Sequence, residues 1–149
     1  MTIDDEQAVA ERVVAAMMAK DAFSQWLGVE VVEVRPRAAT VRMTVRDEMV
    51  NGFGVCHGGV TFSLADSALA FASNTHGRVT MSIENSITYP ASVTPGDVLT
   101  AAAEEESASN RLGFFRVTVS RARGEGQEVV ALFRGTVYKT HRAFFKESE

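Results

Sequence analysis

The spacing of apolar residues predicts a helix at the start of the chain. In residues 4–21 apolar side chains recur at helical intervals, for example at Val9 and Val13, which is typical of an amphipathic helix. Asp4 or Asp5 can cap its first turn. We expect this helix to pack over a sheet edge or a partner.

Most of the remaining chain alternates between apolar and polar positions, as strands with one buried face do. Residues 94–97 read TPGD, and Pro followed by Gly at the centre suits a type II turn. Residues 124–126 read GEG and suit a hairpin turn. The predicted strands cover residues 28–35, 39–46, 79–89, 98–107, 113–123 and 129–140.

One segment, residues 58–71, fits neither an amphipathic helix nor a strand. It contains no Pro and has apolar or small residues on every side of a helical projection, so we predict a helix buried all round. Asp66 lies in its middle, without Lys, Arg or His three or four positions away. An unpaired buried carboxylate costs several kcal/mol. A catalytic role is therefore the leading explanation for Asp66.

These elements predict one α+β domain over residues 1–149. A curved antiparallel sheet wraps one long central helix, preceded by an N-terminal helix within residues 1–24 and followed by a charged tail over residues 141–149. A sheet that covers one side of a helix leaves another face to hide. We therefore expect self-association.

The composition narrows the class of protein further. The chain has 149 residues, 46% of them apolar and 23% charged, as in ordinary globular domains. A net charge of -4 argues against nucleic-acid or membrane-surface partners, which favour a basic face. A lone Cys56 excludes an intrachain disulfide and fits a reducing compartment. Since neither a signal peptide nor a membrane-length apolar run is visible, we predict a cytoplasmic location.

The entrance of the central helix carries the second candidate chemistry. The first N–H groups of a helix have no internal partner, and at Gly58 and Gly59 no side chain blocks their approach. They could stabilise an oxyanion, or the glycines could simply form a tight turn. His57 could act as a base, a donor or a structural residue. Asn51 could orient a water molecule or form an ordinary Asn-Gly turn, and Cys56 is interpreted as a small buried residue.

Helix geometry separates the two candidate groups. Gly58 and Asp66 are eight residues apart, or ~12 Å along a helix that rises ~1.5 Å per residue. Both groups of one chain therefore cannot act on one carbon atom, and the spacing also argues against a Ser–His–Asp triad within this helix. We predict a dimer with antiparallel central helices, in which each chain supplies half of two equivalent sites.

Metal and nucleotide cofactors have little support in the sequence. His57, His76 and His141 show no ligand spacing, and one cysteine cannot build a structural zinc site. Neither GxGxxG nor GxxxxGK[ST] occurs. We predict no metal and no cofactor.

Two adjoining motifs identify a family resemblance. Residues 51–59 read NGFGVCHGG and residues 62–67 read FSLADS, which strongly resembles hotdog-fold acyl-CoA thioesterases, above all their phenylacetic-acid-degradation (PaaI-like) branch. Weaker likeness continues through residues 87–89, 95–97 and 131–135. The resemblance covers roughly residues 25–140 and implies a hotdog fold.

The resemblance also implies catalytic roles. The helix carboxylate, here Asp66, would serve as general base or nucleophile on a thioester. The amide of Gly58 would polarise the thioester carbonyl, with His57 supporting it. Asn51 would help to place water or the thioester, and Ser67, where relatives more often carry Thr, would assist Asp66.

Substrate contacts follow from the same resemblance. Relatives contact coenzyme A through the strand after the helix and the loop before a later strand, which points to Ser82, Ser109, Asn110 and Arg111. Arg111 would bind a phosphate or simply be a solvated turn residue. Phe53 stands where relatives often carry His and would reshape the acyl pocket. Coenzyme A is part of the substrate, so the resemblance implies no separate cofactor.

The function expected from the resemblance is hydrolysis of an acyl-CoA, by preference an aromatic one such as phenylacetyl-CoA. The expected assembly is a homotetramer built as a dimer of dimers, with the active sites at the dimer interface. One rival is a hotdog dehydratase or hydratase, which the loop with Asn51 fits poorly. The other is a non-catalytic acyl-CoA-binding protein. Coenzyme A release, hydration and binding without turnover distinguish the three.

Overall fold

A computed structural model describes residues 1–147 of the protein. In this part of the chain the helices are α1 (Ile3–Lys20), α2 (Ala22–Leu27) and α3 (Gly58–Asn74), with one short 3₁₀ helix at Asp47–Met49. The strands are β1 (Glu30–Arg35), β2 (Ala38–Thr44), β3 (Arg78–Thr88), β4 (Val98–Ala108), β5 (Leu112–Arg123) and β6 (Gly126–Ala143).

The six strands form one antiparallel sheet in the order β1-β2-β4-β5-β6-β3. Helix α3 packs against the inner face of this sheet, and its Leu64, Leu69 and Phe71 are fully buried there with the inward residues of β4, β5 and β6. The predicted α+β hotdog architecture is confirmed. The core lies between α3 and the sheet.

The sheet leaves one stripe of α3 uncovered, which we call the open stripe. Its members recur at helical spacing and are half-buried or exposed, in contrast to the other residues of α3 beyond its first turn. They are Gly59, Phe62, Ser63, Asp66 and Ala70. Complete burial of α3 is therefore wrong for the single chain, because one curved sheet covers only one side of a helix.

The N-terminal region differs from prediction at two points. Helix α1 is capped by Thr2 rather than by Asp4 or Asp5, and Asp5 completes the capping box from the third helical position. A second helix then begins within the region predicted as one helix. Asp21 ends α1 and caps α2, because its Oδ1 accepts the N–H of Ser24 at 2.9 Å.

The later elements agree closely with the prediction. Gly96 has a φ of 90° and the N–H of Asp97 donates to the carbonyl of Thr94 at 3.1 Å, as a type II turn requires. Strand β6 continues through Ala143 and so takes in the first residues of the expected charged tail, whose last two positions lie outside the described residues.

Strand β3 is an edge strand with an exposed apolar surface. Its outer edge has no neighbour within residues 1–147, and Met81 and Ile83 are 57% and 59% exposed. Long edge strands with apolar side chains readily pair with another chain.

Among the described residues, no helix is long and apolar enough to cross a membrane.

Candidate active site

Asp66 is the half-buried carboxylate at the centre of the open stripe. Burial raises its pKa above the ordinary 3.8, a hydrogen bond from Asn85 lowers it, and the nearby charge of Asp21 raises it. The Nδ2 of Asn85 donates to Oδ1 of Asp66 at 3.4 Å. Within residues 1–147 Oδ2 accepts no side-chain hydrogen bond. A carboxylate of raised basicity with one free oxygen suits a general base.

At the N-terminus of α3 one backbone donor stays available. The ring of His57 caps the helix, because its Nδ1 accepts the N–H of Gly59 at 2.9 Å. The N–H of Val60 donates to the carbonyl of His57 at 2.9 Å. The N–H of Gly58 has no acceptor in the described part of the chain. His57 thus supports the predicted oxyanion site as a helix cap, and Gly58 carries its free donor.

Tyr89 fixes the position of Gly58. Its hydroxyl donates to the carbonyl of Gly58 at 2.8 Å, and a Cβ on Gly58 would lie 3.1 Å from the tyrosine ring and hydroxyl. A side chain at position 58 would therefore press on Tyr89. The glycine serves close packing in addition to any approach by substrate.

The loop before α3 is organised by Asn51. Its Oδ1 accepts the N–H groups of Phe53 at 2.9 Å and Val55 at 3.4 Å. Within residues 1–147 its Nδ2 makes no hydrogen bond. Asn51 therefore forms a turn and still presents a donor, so both interpretations of this residue fit. Phe53 is 93% exposed.

Ser67 joins α3 to α2. Its Oγ lies 2.7 Å from Oγ of buried Ser24, which in turn donates to Oδ2 of Asp21 at 2.6 Å. Since Ser24 gives its single proton to the carboxylate, Ser67 donates to Ser24. In the single chain this hydroxyl holds the two helices together, and its assistance to Asp66 stays a prediction.

A cavity of about 270 Å³ adjoins Gly58. Polar and apolar surfaces contribute about equally to its lining. Cys56 lies in its wall with a thiol whose pKa is raised by burial. A protonated, buried thiol is a poor nucleophile, in agreement with its interpretation as a packing residue. The remaining lining residues are Val55, Thr61, Tyr89, Pro90, Ala91, Ser92, Val93 and Val130.

The predicted coenzyme A contacts lie towards one end of the sheet. Ser109, Asn110 and Arg111 form the exposed turn between β4 and β5. Lys139 joins them, since its N–H donates to the carbonyl of Arg111 at 2.7 Å and its Nζ to that of Ser109 at 2.5 Å. Ser82 lies on β3, the other neighbour of β6, so about two strand spacings, ~10 Å, separate it from this turn.

The structure thus groups the predicted residues of one chain into three sets, one of which is the exposed turn with Ser109, Asn110 and Arg111. Asp66 adjoins β3 and, through Asn85, Ser82. Another set lies around Gly58 and His57 at the N-terminus of α3, about two helix turns before Asp66. The predicted separation of ~12 Å holds, because α3 is continuous across both positions.

Sequence reasoning missed three residues of these sets. Asn85 and Tyr89 contact Asp66 and Gly58 from β3 and the residue after it, and Lys139 reaches the predicted phosphate-binding turn from β6. A polar Asn in an alternating strand was the signal available for the first. The contacts of Tyr89 and Lys139 depend on how β3 and β5 pair with β6, and local sequence patterns do not reveal this pairing.

Comparison with known proteins gives consistent matches. The profile described as "Thioesterase superfamily" matches residues 53–127. A protein of Archaeoglobus fulgidus, named as a presumed esterase, is 37% identical over 136 residues, which cover 91% of this chain and 86% of the relative. The acyl-coenzyme A thioesterase PaaI of Escherichia coli is 36% identical over 127 residues, covering 85% of this chain and 86% of the relative.

A solved structure supports the same assignment. The PaaI protein from the phenylacetic acid degradation operon of Escherichia coli superimposes with a TM-score of 0.87 at 32% identity. The match covers 92% of this chain and 97% of that chain. The likeness therefore extends over nearly the whole fold as well as over the motif region.

Proposed function

This chain belongs to the thioesterase superfamily and is a thioester hydrolase, and we propose that it hydrolyses an acyl-CoA thioester to a free carboxylic acid and coenzyme A. The acyl-CoA class is supported by the PaaI relative from Escherichia coli, which is named as an acyl-coenzyme A thioesterase. The observation that carries the mechanism lies on α3. A carboxylate of raised pKa and an N–H without an acceptor in residues 1–147 lie on the same helix, too far apart to act on one thioester carbon.

A second copy of the chain resolves that separation. The open stripe of α3 consists mostly of small residues around Asp66, so a partner helix can approach closely. The exposed apolar edge of β3 lies on the same side of α3, because Asn85 of β3 contacts Asp66. An antiparallel partner helix would bring its own Gly58 towards this Asp66, and a two-fold axis would form two such sites. The proposed tetramer pairs two of these dimers.

The proposed reaction needs one base and one oxyanion donor. The Gly58 N–H of one chain binds the thioester carbonyl oxygen and stabilises the charge that develops there. Asp66 of the other chain removes a proton from water as the water oxygen bonds to the carbonyl carbon. The carbon–sulfur bond then breaks, and the proton passes to the thiolate of coenzyme A. Direct attack by Asp66 through an anhydride is the alternative route.

We propose that the basic end of the sheet binds the phosphates of coenzyme A. Arg111 and Lys139 lie together at the turn between β4 and β5. The guanidinium of Arg78 donates to the carbonyls of Lys139 and Thr140 at 3.3 and 2.9 Å. These cations suit phosphate groups, and Ser82 lies between them and Asp66 on the path that the pantetheine arm would follow.

We also propose that the acyl group of the substrate is aromatic. Its support is the similarity to the Escherichia coli PaaI protein, which comes from a phenylacetic acid degradation operon. The cavity beside Gly58 includes an apolar portion formed by residues such as Val55, Val93 and Val130, and the exposed Phe53 could cover an acyl group once a partner chain is present. We propose that these surfaces receive the acyl group.

A thiol-release screen tests the function directly. Phenylacetyl, benzoyl, short-chain and long-chain acyl-CoA substrates are compared at matched concentrations, with Asp66→Asn as the control for non-enzymatic release. We expect release to be fastest with the aryl substrates. Hydration of an enoyl-CoA without thiol release would support a hydratase, and saturable binding without either product would support a binding protein.

A further inference from the structure

An irregularity in β3 determines where Asn85 points. Ser82 pairs with Val137 and Glu84 with Thr136, so β3 has one residue more than β6 at this point. Residues three apart on a regular strand face opposite sides, and one extra residue returns them to the same side. This bulge lets the Oγ of Ser82 donate to the Oδ1 of Asn85 at 2.8 Å.

The amide of Asn85 is held in one orientation. Its oxygen accepts the hydroxyl of Ser82, so its NH₂ group faces Asp66 and donates to Oδ1 at 3.4 Å. Gly135 on β6 is paired with Asn85. A Cβ on this glycine would come within 2.8 Å of the amide oxygen and 2.5 Å of Leu69. The bulge, the serine and the glycine together create the space and the direction of this contact.

We propose that Asn85 is a positioning residue for the carboxylate of Asp66. By holding Oδ1, the amide turns Oδ2, which has no side-chain donor in the described residues, towards the open stripe where water and the thioester would bind. This inference rests on the proposed function. It adds a residue that reaches the reaction only through Asp66.

The electrostatic consequence can be measured. A neutral N–H donor favours the ionised form of a carboxylate. Burial and the charge of Asp21, at the junction of α1 and α2, act in the opposite direction on the pKa of Asp66. Asn85, from β3, therefore keeps the base ionised at a lower pH than its surroundings alone would allow.

Three variants separate positioning from general structural support. Asn85→Leu removes the donor at similar volume, and Asn85→Asp keeps the acceptor for Ser82 but places a second carboxylate beside Asp66. Ser86→Ala is the matched control, because Ser86 is the adjacent, exposed residue of the same strand. The Asp66 carboxyl signal is followed by ¹³C NMR during a pH titration, with Asp66→Asn used to assign it.

We expect the pKa of Asp66 to rise in Asn85→Leu, to rise further in Asn85→Asp and to stay unchanged in Ser86→Ala. With the substrate found in the screen, we expect kcat of Asn85→Leu to fall by about 10- to 100-fold while KM changes little. The acid limb of the rate profile should move to higher pH in parallel.

An unchanged Asp66 pKa in both Asn85 variants would overturn the inference, as would a wild-type kcat in Asn85→Leu. If Asn85→Leu does not fold, Asn85→Asp decides the titration, since it preserves size and the Ser82 contact. The NMR result does not depend on turnover. If the wild-type protein releases no thiol, the proposed function is refuted. The NMR titration would still decide whether Asn85 positions the carboxylate of Asp66.

Discussion

Asp66 combines a catalytic advantage with a cost in stability. Burial raises the pKa of its carboxyl above 3.8, so in the folded state the neutral form is favoured relative to the unfolded chain. A carboxyl with a raised folded pKa adds stability at low pH, and this contribution is lost as pH rises through the folded value. At neutral pH the ionised Asp66 therefore destabilises the fold.

Replacing Asp66 should change activity and stability in opposite directions. We expect Asp66→Asn to abolish thiol release with little change in fold or in affinity for coenzyme A. At neutral pH the variant should unfold at higher denaturant concentration than the wild type, and the difference should shrink in acid. Urea titrations at several pH values, together with kinetics, check both effects. Retention of most of kcat would remove Asp66 from the mechanism.

Ser24 illustrates a buried pair whose partners depend on each other. Ser24→Ala leaves the 7% exposed Ser67 without its acceptor, which should cost about 1–3 kcal/mol in the free energy of unfolding. The double variant Ser24→Ala/Ser67→Ala removes both hydroxyls and should recover part of that loss. Equal stability of the wild type and the single variant, measured by urea denaturation, would show that this contact contributes nothing.

At the scale of elements, α3 was predictable and its partners were not. The apolar side chains in residues 58–71, the absence of Pro and the glycines at the start predict a long apolar helix. The strands also followed from their alternation. The bulge in β3 and its contact with α3 depend on the pairing of β3 with β6, which joins distant segments. The sequence therefore showed Asn85 only as a polar residue within an alternating strand and did not reveal its contact with Asp66.

The close approach of α3 to β6 depends on Gly135. A Cβ there would meet Leu69 at 2.5 Å and the amide oxygen of Asn85 at 2.8 Å. We expect Gly135→Ala to lower the free energy of unfolding by about 1–3 kcal/mol through overpacking. Gly126→Ala is the control, since a Cβ there meets only a backbone oxygen at 4.0 Å. Equal thermal unfolding of the two variants would contradict the close packing.

At the scale of the whole molecule, the sequence predicts more about assembly than about substrate. The spacing of Gly58 and Asp66 along one helix requires a second chain if both act on one thioester. The open stripe and the exposed edge of β3 are the surfaces that we propose for that chain. The identity of the acyl group follows neither from spacing nor from the fold, because in the proposed dimer it depends on a pocket that the partner chain would complete.

Two variants separate the halves of the proposed site. Asp66→Asn removes the base. Gly58→Pro removes the free N–H at the first position of α3, where proline is compatible with a helix and where His57, at φ -60° and ψ 132°, already has the backbone that precedes a proline. Gly58→Ala is the matched control, because it adds a Cβ against Tyr89 but keeps the N–H. We expect it to retain more activity than Gly58→Pro.

The most direct test of a site shared between two chains is activity in mixed oligomers of Asp66→Asn and Gly58→Pro. Each variant alone should be inactive. In a mixed dimer one site receives an intact Gly58 from one chain and an intact Asp66 from the other, so random equal mixing should restore about a quarter of the wild-type rate. No recovery, with mixed oligomers verified by two affinity tags, would contradict the shared site.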